Sequence, residues 1–150
     1  MKLTGVTPIL NVSDVPARIQ WFAALSWRVE FTYNEGGMIQ GAALRNQHGP
    51  AEFAGICCGE AQIFLCHDGQ GSRGGPLPKH LSGNDDTGGV WMSWWLERPA
   101  EVDEVHELAM RLGVTVAKPP TDEPWGVREC QIIHPDGHIF RVSAFPHGKD

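Results

Sequence analysis

The sequence has little positive charge and no long apolar run. Its 150 residues hold 12 Lys and Arg against 18 Asp and Glu, a formal charge of −6. No basic stripe is available to neutralise phosphates, so nucleic acid is a poor candidate partner. No stretch approaches the ~18 consecutive apolar residues of a membrane-spanning helix, and the N-terminus lacks the apolar segment of a signal peptide. We therefore expect a cytoplasmic protein that binds neither nucleic acid nor membrane.

Cysteine is also scarce. Cys57, Cys58, Cys66 and Cys130 show no Cys-x-x-Cys spacing, and the vicinal pair cannot easily bridge to itself. A disulfide framework and a structural zinc site are both disfavoured by this spacing. We expect reduced thiols that pack as small hydrophobic residues. With 41% apolar residues, the chain can fold without such cross-links.

The strongest structural signal that is present is a hairpin near the C-terminus. Residues 125–133 and 138–145 are rich in β-formers, and they flank the tetrapeptide His-Pro-Asp-Gly. Pro135 presets φ at the second position of the turn, and Gly137 tolerates the positive φ that a tight reversal needs. The segment predicts two antiparallel strands joined by a turn.

The first half of the chain predicts one helix among several strands. Ser13 and Asp14 offer N-cap oxygens, Pro16 suits a first helical turn, and the helix should run to about Leu25. Its predicted strands are 6–12, 28–33, 38–44, 51–58 and 61–67.

The second half repeats this order. A strand over 89–96 precedes a helix that begins at Pro99 and ends before Gly113. A strand at 114–117, a loop at 118–124 and the hairpin complete it. We interpret 1–67 as a first βαβββ module, 68–88 as a connecting loop and 89–150 as a second module, within one compact domain. Because a loop of this length is either a linker or a lid over a site, both readings of 68–88 stay open.

With this internal duplication, the sequence resembles the vicinal oxygen chelate superfamily, which includes glyoxalase I, extradiol dioxygenases, fosfomycin-resistance enzymes and bleomycin-binding proteins. The resemblance lies in residues 9–15, Trp21-Phe22, 96–103, 125–128 and 134–142. It implies an α+β fold in which two tandem βαβββ modules form a curved, cup-shaped mixed β-sheet with the helices outside. It also implies a homodimer.

The resemblance further implies four metal-ligand positions, one on the first and one on the last strand of each module. Here those positions fall on Thr7, Phe64, Trp91 and Arg141. Thr is a poor protein ligand for divalent metals, Phe and Trp cannot donate, and Arg repels a cation. We therefore expect no metal cofactor. The alternative is one divalent ion held by residues from other places: His67, His138, Glu60 or Glu129.

Strand alternation then predicts which side chains face the cup. The expected ligand-binding residues are Phe64, Cys66, Trp91, Ser93, Trp95, Trp125 and Arg141. Arg141 needs an acidic partner, which is Glu129, Glu52 or an anionic group of the ligand. Three histidines at strand ends or in turns are expected to be solvated: His67, His134 and His138.

These expectations favour a metal-free small-molecule binding protein, similar to bleomycin-resistance proteins that sequester their ligand. The aromatic residues would stack on an aromatic or glycopeptide-like compound, and Arg141 would fix its polar end. One alternative is a metal-dependent lyase, isomerase or dioxygenase of the same superfamily. Another is a structural homodimer module whose cup is filled by Trp91 and Trp95 as core.

Overall fold

The computed structural model of the protein describes residues 1–46, 49–74 and 89–146. The chain divides into two units, Met1–Ser72 and Arg73–Asp150, and each builds its own mixed sheet. Most of the predicted connecting loop, residues 75–88, lies outside the described residues, so the choice between linker and lid stays a prediction. In the described ranges, no helix is long and apolar enough to cross a membrane.

The first unit contains one α-helix and a five-stranded sheet. The elements are β1 (Ile9–Asn11), α1 (Val15–Ala24), β2 (Arg28–Asn34), β3 (Gly37–Gln40), a 3-10 helix (Gly41–Asn46), β4 (Phe53–Cys58) and β5 (Ala61–Cys66). The sheet order is β1-β5-β4-β2-β3. Strand β1 pairs parallel to β5, and all other pairs are antiparallel.

Helix α1 begins where the sequence predicted. The Asp14 carboxylate accepts a hydrogen bond from the backbone N–H of Ala17 at 2.9 Å, which satisfies one of the free N–H groups of the first turn. The helix buries Val15 and Phe22 against one face of the sheet. The strand residues buried in this core are Leu10, Ala54, Ile56, Ile63 and Leu65. Because side chains alternate along a strand, the residues between them belong to the opposite face.

The second unit has the order that the sequence predicted. Its elements are β6 (Trp91–Trp95), α2 (Pro99–Arg111), β7 (Thr115–Asp122), β8 (Arg128–Ile133) and β9 (Ile139–Ala144). The sheet order β6-β9-β8-β7 matches the first unit without its extra edge strand β3. In both units the first strand pairs parallel to the last one. The predicted α+β fold of two repeated βαβββ modules is confirmed.

Two local predictions were wrong. Strand 38–44 ends at Gln40, because Gly41 has a φ of +58 and the chain enters the 3-10 helix. The predicted loop at 118–124 is largely strand, since β7 continues through Pro119 and Pro120. Prolines are tolerated there because β7 is an edge strand and its pairing shifts register on both sides of Lys118.

The C-terminal hairpin is confirmed. The N–H of Gly137 donates to the carbonyl of His134 at 2.8 Å, and Gly137 has a φ of +79. The prediction that His134 and His138 are solvated was wrong, because both are buried. Their Nδ1 atoms accept backbone hydrogen bonds, from Asp136 and Val90 respectively, at 3.0 Å. His67 is exposed as predicted.

Candidate functional site

In the first unit, the sheet face opposite α1 collects aromatic side chains from three strands. Strand pairing sets them in two rows across the sheet. The first row is Phe31, Gly55 and Phe64; the second is Met38, Tyr33, Phe53 and Cys66. In the sequence, the 3-10 helix and β3 lie between β2 and the β4–β5 pair, so only the folded sheet brings Phe31 beside Phe53 and Phe64.

The three phenylalanines form one cluster. The ring centroids of Phe31 and Phe53 lie 6.1 Å apart, those of Phe31 and Phe64 5.5 Å, and those of Phe53 and Phe64 5.3 Å. Gly55 makes this possible, since a Cβ built there would lie 2.3 Å from the Phe31 ring. Glycine therefore leaves the space in which Phe31 crosses β4 to reach Phe64.

An open cavity of about 640 Å³ lies against this cluster, and we call it the module-one pocket. Its apolar lining is Phe31, Tyr33, Met38, Phe53 and Phe64. Its polar lining is Glu52, Cys66, His67, Asp68 and Gln70. A concave site with mostly apolar walls and a few polar groups is the usual composition of a small-molecule pocket.

The turn after β5 supplies part of the polar lining and is anchored to β1. The side-chain amide of Asn11 donates to the carbonyl of Gly71 at 3.0 Å, and the Asn11 side-chain oxygen accepts from the N–H of Asp68 at 3.3 Å. The Cys66 thiol contacts the carbonyl of Gln70 at 3.5 Å. The first residues of the predicted connecting loop therefore form a fixed wall of the pocket.

In the second unit, the sheet face opposite α2 carries a polar network around Glu129. The Arg141 guanidinium donates from Nε to both carboxylate oxygens at 3.1 Å and from Nη2 to Oε2 at 2.6 Å. Ser143 and Gln131 donate to the same carboxylate at 3.1 and 3.2 Å. Of the three partners left open for Arg141, Glu129 is the one found. Its side chain is 1% exposed, whereas that of Arg141 is 37% exposed.

The charge state of this network follows from its contacts. Burial raises the pKa of Glu129, but the hydrogen bonds from Arg141, Gln131 and Ser143 outweigh it, and the pKa lies below its ordinary value. The hydrogen bonds that Arg141 donates to Glu129 raise the pKa of Arg141. The pair is therefore ionised and internally balanced. Arg141 Nη1 makes no hydrogen bond with a described residue.

The predicted tryptophans of the second unit are partly exposed. Trp91 is 45% exposed, Trp95 50% and Trp125 59%. Trp95 stacks on Phe145 with ring centroids 5.1 Å apart, and Lys118 Nζ lies 5.9 Å from the Trp125 ring centroid. Trp91 and Trp95 are thus not core residues of the chain, in contrast to the filled-cup interpretation.

The predicted site residues therefore fall into two groups. Phe64 and Cys66 line the module-one pocket, while the others lie in the second unit: Trp91, Ser93, Trp95, Trp125 and Arg141. Sequence reasoning missed the part of the pocket that comes from β2, β3 and β4: Phe31, Tyr33, Met38 and Phe53. The alternation of Phe31 and Tyr33 along β2 was an available signal, but it did not show which strand lies beside β2.

The four implied metal positions do not fit a divalent ion. The Thr7 hydroxyl donates to the side-chain oxygen of Gln62 at 2.8 Å, Phe64 lies in the aromatic cluster, and Arg141 binds Glu129. Trp91 has no donor atom for a metal. Within residues 1–46, 49–74 and 89–146, no group of three His, Cys, Asp or Glu side chains could hold a metal. Glu129, one of the alternative ligands, is already engaged by three side chains.

Several solved structures are similar to the chain. TioX from Micromonospora sp. ML1 is 17% identical with a TM-score of 0.66, covering 93% of this chain and 98% of that one. A fosfomycin resistance protein from Listeria monocytogenes, complexed with Mn(II) and sulfate, is 16% identical with a TM-score of 0.61 and covers 96% and 92%. The bleomycin resistance determinant encoded on transposon Tn5 is 13% identical with a TM-score of 0.59 and covers 95% and 98%. At these identities, the likeness shows the fold.

No curated protein sequence matches the chain significantly. The sequence model of one family does match, over residues 5–142. Because this match spans most of the chain, the protein belongs to the glyoxalase/bleomycin resistance protein/dioxygenase superfamily, the vicinal oxygen chelate proteins.

Proposed function

We propose that the protein is a metal-free small-molecule binding protein that sequesters an aromatic or glycopeptide-like compound in the cytoplasm. The observation that carries this proposal is the module-one pocket, where aromatic rings from three strands line an open cavity of about 640 Å³. Apolar side chains left facing solvent in a concave site are typical of a ligand-binding surface. Superfamily membership and the bleomycin resistance neighbour support it.

In this proposal, Phe64 stacks on the ligand and Cys66 contributes a weakly polar contact within the module-one pocket. The second unit, considered by itself, carries a further candidate surface on which Trp91, Trp95 and Trp125 are exposed. Arg141 offers Nη1 to a carbonyl or carboxylate oxygen of the ligand, and the exposed Ser93, paired with Arg141 across β6 and β9, offers a hydroxyl.

A metal-dependent lyase, isomerase or dioxygenase is the competing function. The donor chemistry of Thr7, Phe64, Trp91 and Arg141 gives it no support. Elemental analysis of the purified protein separates the two: we expect far less than one zinc, nickel, iron or manganese ion per chain, and no change in Tm on adding a chelator. One tightly held ion per chain, with a Tm that falls by several degrees on chelation, would favour the enzyme, since a metal that binds only the folded state raises stability.

Ligand binding is tested by calorimetry and thermal shift with a panel of aromatic acids and glycopeptide-like compounds. We expect at least one compound to raise the Tm and to lose affinity in Phe64→Leu. Trp21→Leu, which alters an aromatic residue on α1, serves as the matched control and should bind like the parent. A panel in which no compound binds the parent would contradict the proposed function.

A further inference from the structure

Among the described residues that line the module-one pocket, Asp and Glu are present and Lys and Arg are not. Its lining includes the acidic residues Glu52 and Asp68. His67 lies 3.4 Å from Asp68, so that carboxylate has a neighbour of its own. The carboxylate of Glu52 makes no hydrogen bond or ion pair with a described residue. Its charge is therefore available to a ligand.

The backbone of Glu52 is held in place at the entrance to β4. Its N–H donates to the carbonyl of Tyr33 at 2.8 Å, and its carbonyl accepts from the N–H of His67 at 3.1 Å. These bonds tie Glu52 to β2 on one side and to the anchored turn after β5 on the other. The carboxylate is thus attached to a fixed point beside the aromatic lining.

The aromatic lining favours the same sign of ligand charge. The faces of Phe31, Tyr33, Phe53 and Phe64 carry the negative side of the ring quadrupole, which attracts a cation within about 6 Å of a ring centroid. The Met38 thioether adds a polarizable contact. An anion would meet two acidic residues and no Lys or Arg among the described lining residues, which costs free energy in a partly desolvated site.

We infer that the module-one pocket binds the cationic amine of a ligand whose body is aromatic or apolar, with Glu52 as its counter-charge and the aromatic cluster as its contact surface. This inference rests on the proposed function, because it names the ligand chemistry of the same site. The inference is tested by measuring how the affinity depends on the sign of the ligand charge.

Three probes with the same ring separate charge from shape: benzylamine, benzyl alcohol and phenylacetate. Their binding to the full chain is measured by calorimetry or by ligand-detected NMR at low and at high salt. We expect benzylamine to bind about three- to tenfold more tightly than benzyl alcohol, and phenylacetate to bind least. High salt should reduce the preference for benzylamine, because it screens exposed charges.

Two variants and a control test whether Glu52 and Phe64 cause the binding preference for benzylamine. Glu52→Gln keeps the side-chain volume and should remove the preference for benzylamine while leaving benzyl alcohol binding unchanged. Phe64→Leu should weaken both probes. Glu107→Gln removes one exposed carboxylate from α2 in the other unit, with the same change in net charge, and should bind like the parent. Equal Tm values for Glu52→Gln and Glu107→Gln would show that the effect is on binding.

The outcomes distinguish this inference from the proposed function. Equal binding of benzylamine and benzyl alcohol, tighter binding of phenylacetate, or an undiminished preference in Glu52→Gln overturns the inference alone, because a ligand is still bound. If the three probes do not bind but larger aromatic compounds do, the inference also fails and the proposed function stands. If neither the probes nor the larger compounds bind, both fail.

Discussion

At the scale of single residues, Gly55 is the position on which the aromatic cluster depends. In Gly55→Ala the new Cβ would overlap the Phe31 ring, so the ring must move away from Phe64. We expect a loss of about 1–2 kcal/mol in the free energy of unfolding, as for other overpacked sites, together with weaker ligand binding. Urea unfolding and calorimetry measure the two effects. Gly5→Ala, where a Cβ meets nothing within 4 Å, is the control. A Gly55→Ala protein indistinguishable from Gly5→Ala would show that the Phe31 ring is not held there.

Arg141 gives a second prediction at this scale. Arg141→Leu leaves the buried Glu129 carboxylate with only Ser143 and Gln131 as donors. We expect the free energy of unfolding near pH 7 to fall by about 2–4 kcal/mol, at the low end for buried ion pairs because Arg141 is partly exposed. Adding Glu129→Gln should restore part of the loss. If Arg141→Leu unfolds at the same urea concentration as the parent, the pair does not stabilise the unit.

The same pair predicts a dependence on pH. The pKa of Glu129 is lower in the folded protein than its ordinary value of 4.5, so the unfolded state binds the proton more tightly. The stability contributed by Glu129 is therefore present above pH 4.5 and is lost as the pH falls through the lowered pKa. Urea unfolding measures the free energy of unfolding between pH 7 and pH 3. This free energy should fall less on acidification in Arg141→Leu/Glu129→Gln than in the parent. Equal acid losses would contradict this, since the other carboxylates are common to both proteins.

At the scale of elements, β6 presents Trp91 and Trp95 to solvent on one side of the sheet. Trp95→Ala removes the stack on Phe145, but the ring is half exposed. We expect a loss of about 1–2 kcal/mol, less than the ~3–5 kcal/mol typical of a fully buried Trp. Trp27→Ala is the matched comparison, because Trp27 is buried against Phe22 at a centroid distance of 5.6 Å. Equal losses of unfolding free energy in the two variants would show that Trp95 contributes as much as a buried core residue. Unfolding in urea measures both, and ligand affinity is expected to fall only in Trp95→Ala.

Elements with local signals could be predicted from the sequence. The cap at Asp14, the proline that begins α2, the positive φ at Gly113 and the Pro-Asp-Gly turn each act within a few residues, and each appears as expected. The extension of β7 through two prolines could not be predicted, because it depends on β7 being an edge strand of the folded sheet.

The candidate site was harder to predict from the sequence. Alternation along β5 and β9 was enough to place Phe64 and Arg141 on the faces opposite the helices. The partner of Arg141 and the aromatic neighbours of Phe64 depend instead on pairing between strands, which determines that Glu129 lies near Arg141 and that Gly55 lies between Phe31 and Phe64. Pairing register over such separations is a property of the whole sheet.

At the scale of the whole molecule, we expect a two-fold homodimer. Both sheets are open and end in edge strands, and such edges are commonly covered by association. Sedimentation at micromolar concentration should give about twice the chain mass of 16.5 kDa. A mass of one chain at every concentration would contradict this prediction. The ligand probes should be added in a parallel run, so that an effect of binding on assembly is seen.

The parallel pairing of first and last strands determines how each unit can be completed. Ile9 lies beside Phe64, and Trp91 beside Ile139. Forming the parallel strand pair of each sheet therefore joins segments about fifty residues apart. Such distant pairing slows folding, because the chain between must be ordered before the contact forms. During synthesis, however, the first unit has all its strands once Cys66 has left the ribosome. It can therefore finish folding before the strands of the second unit exist to compete for its exposed edges.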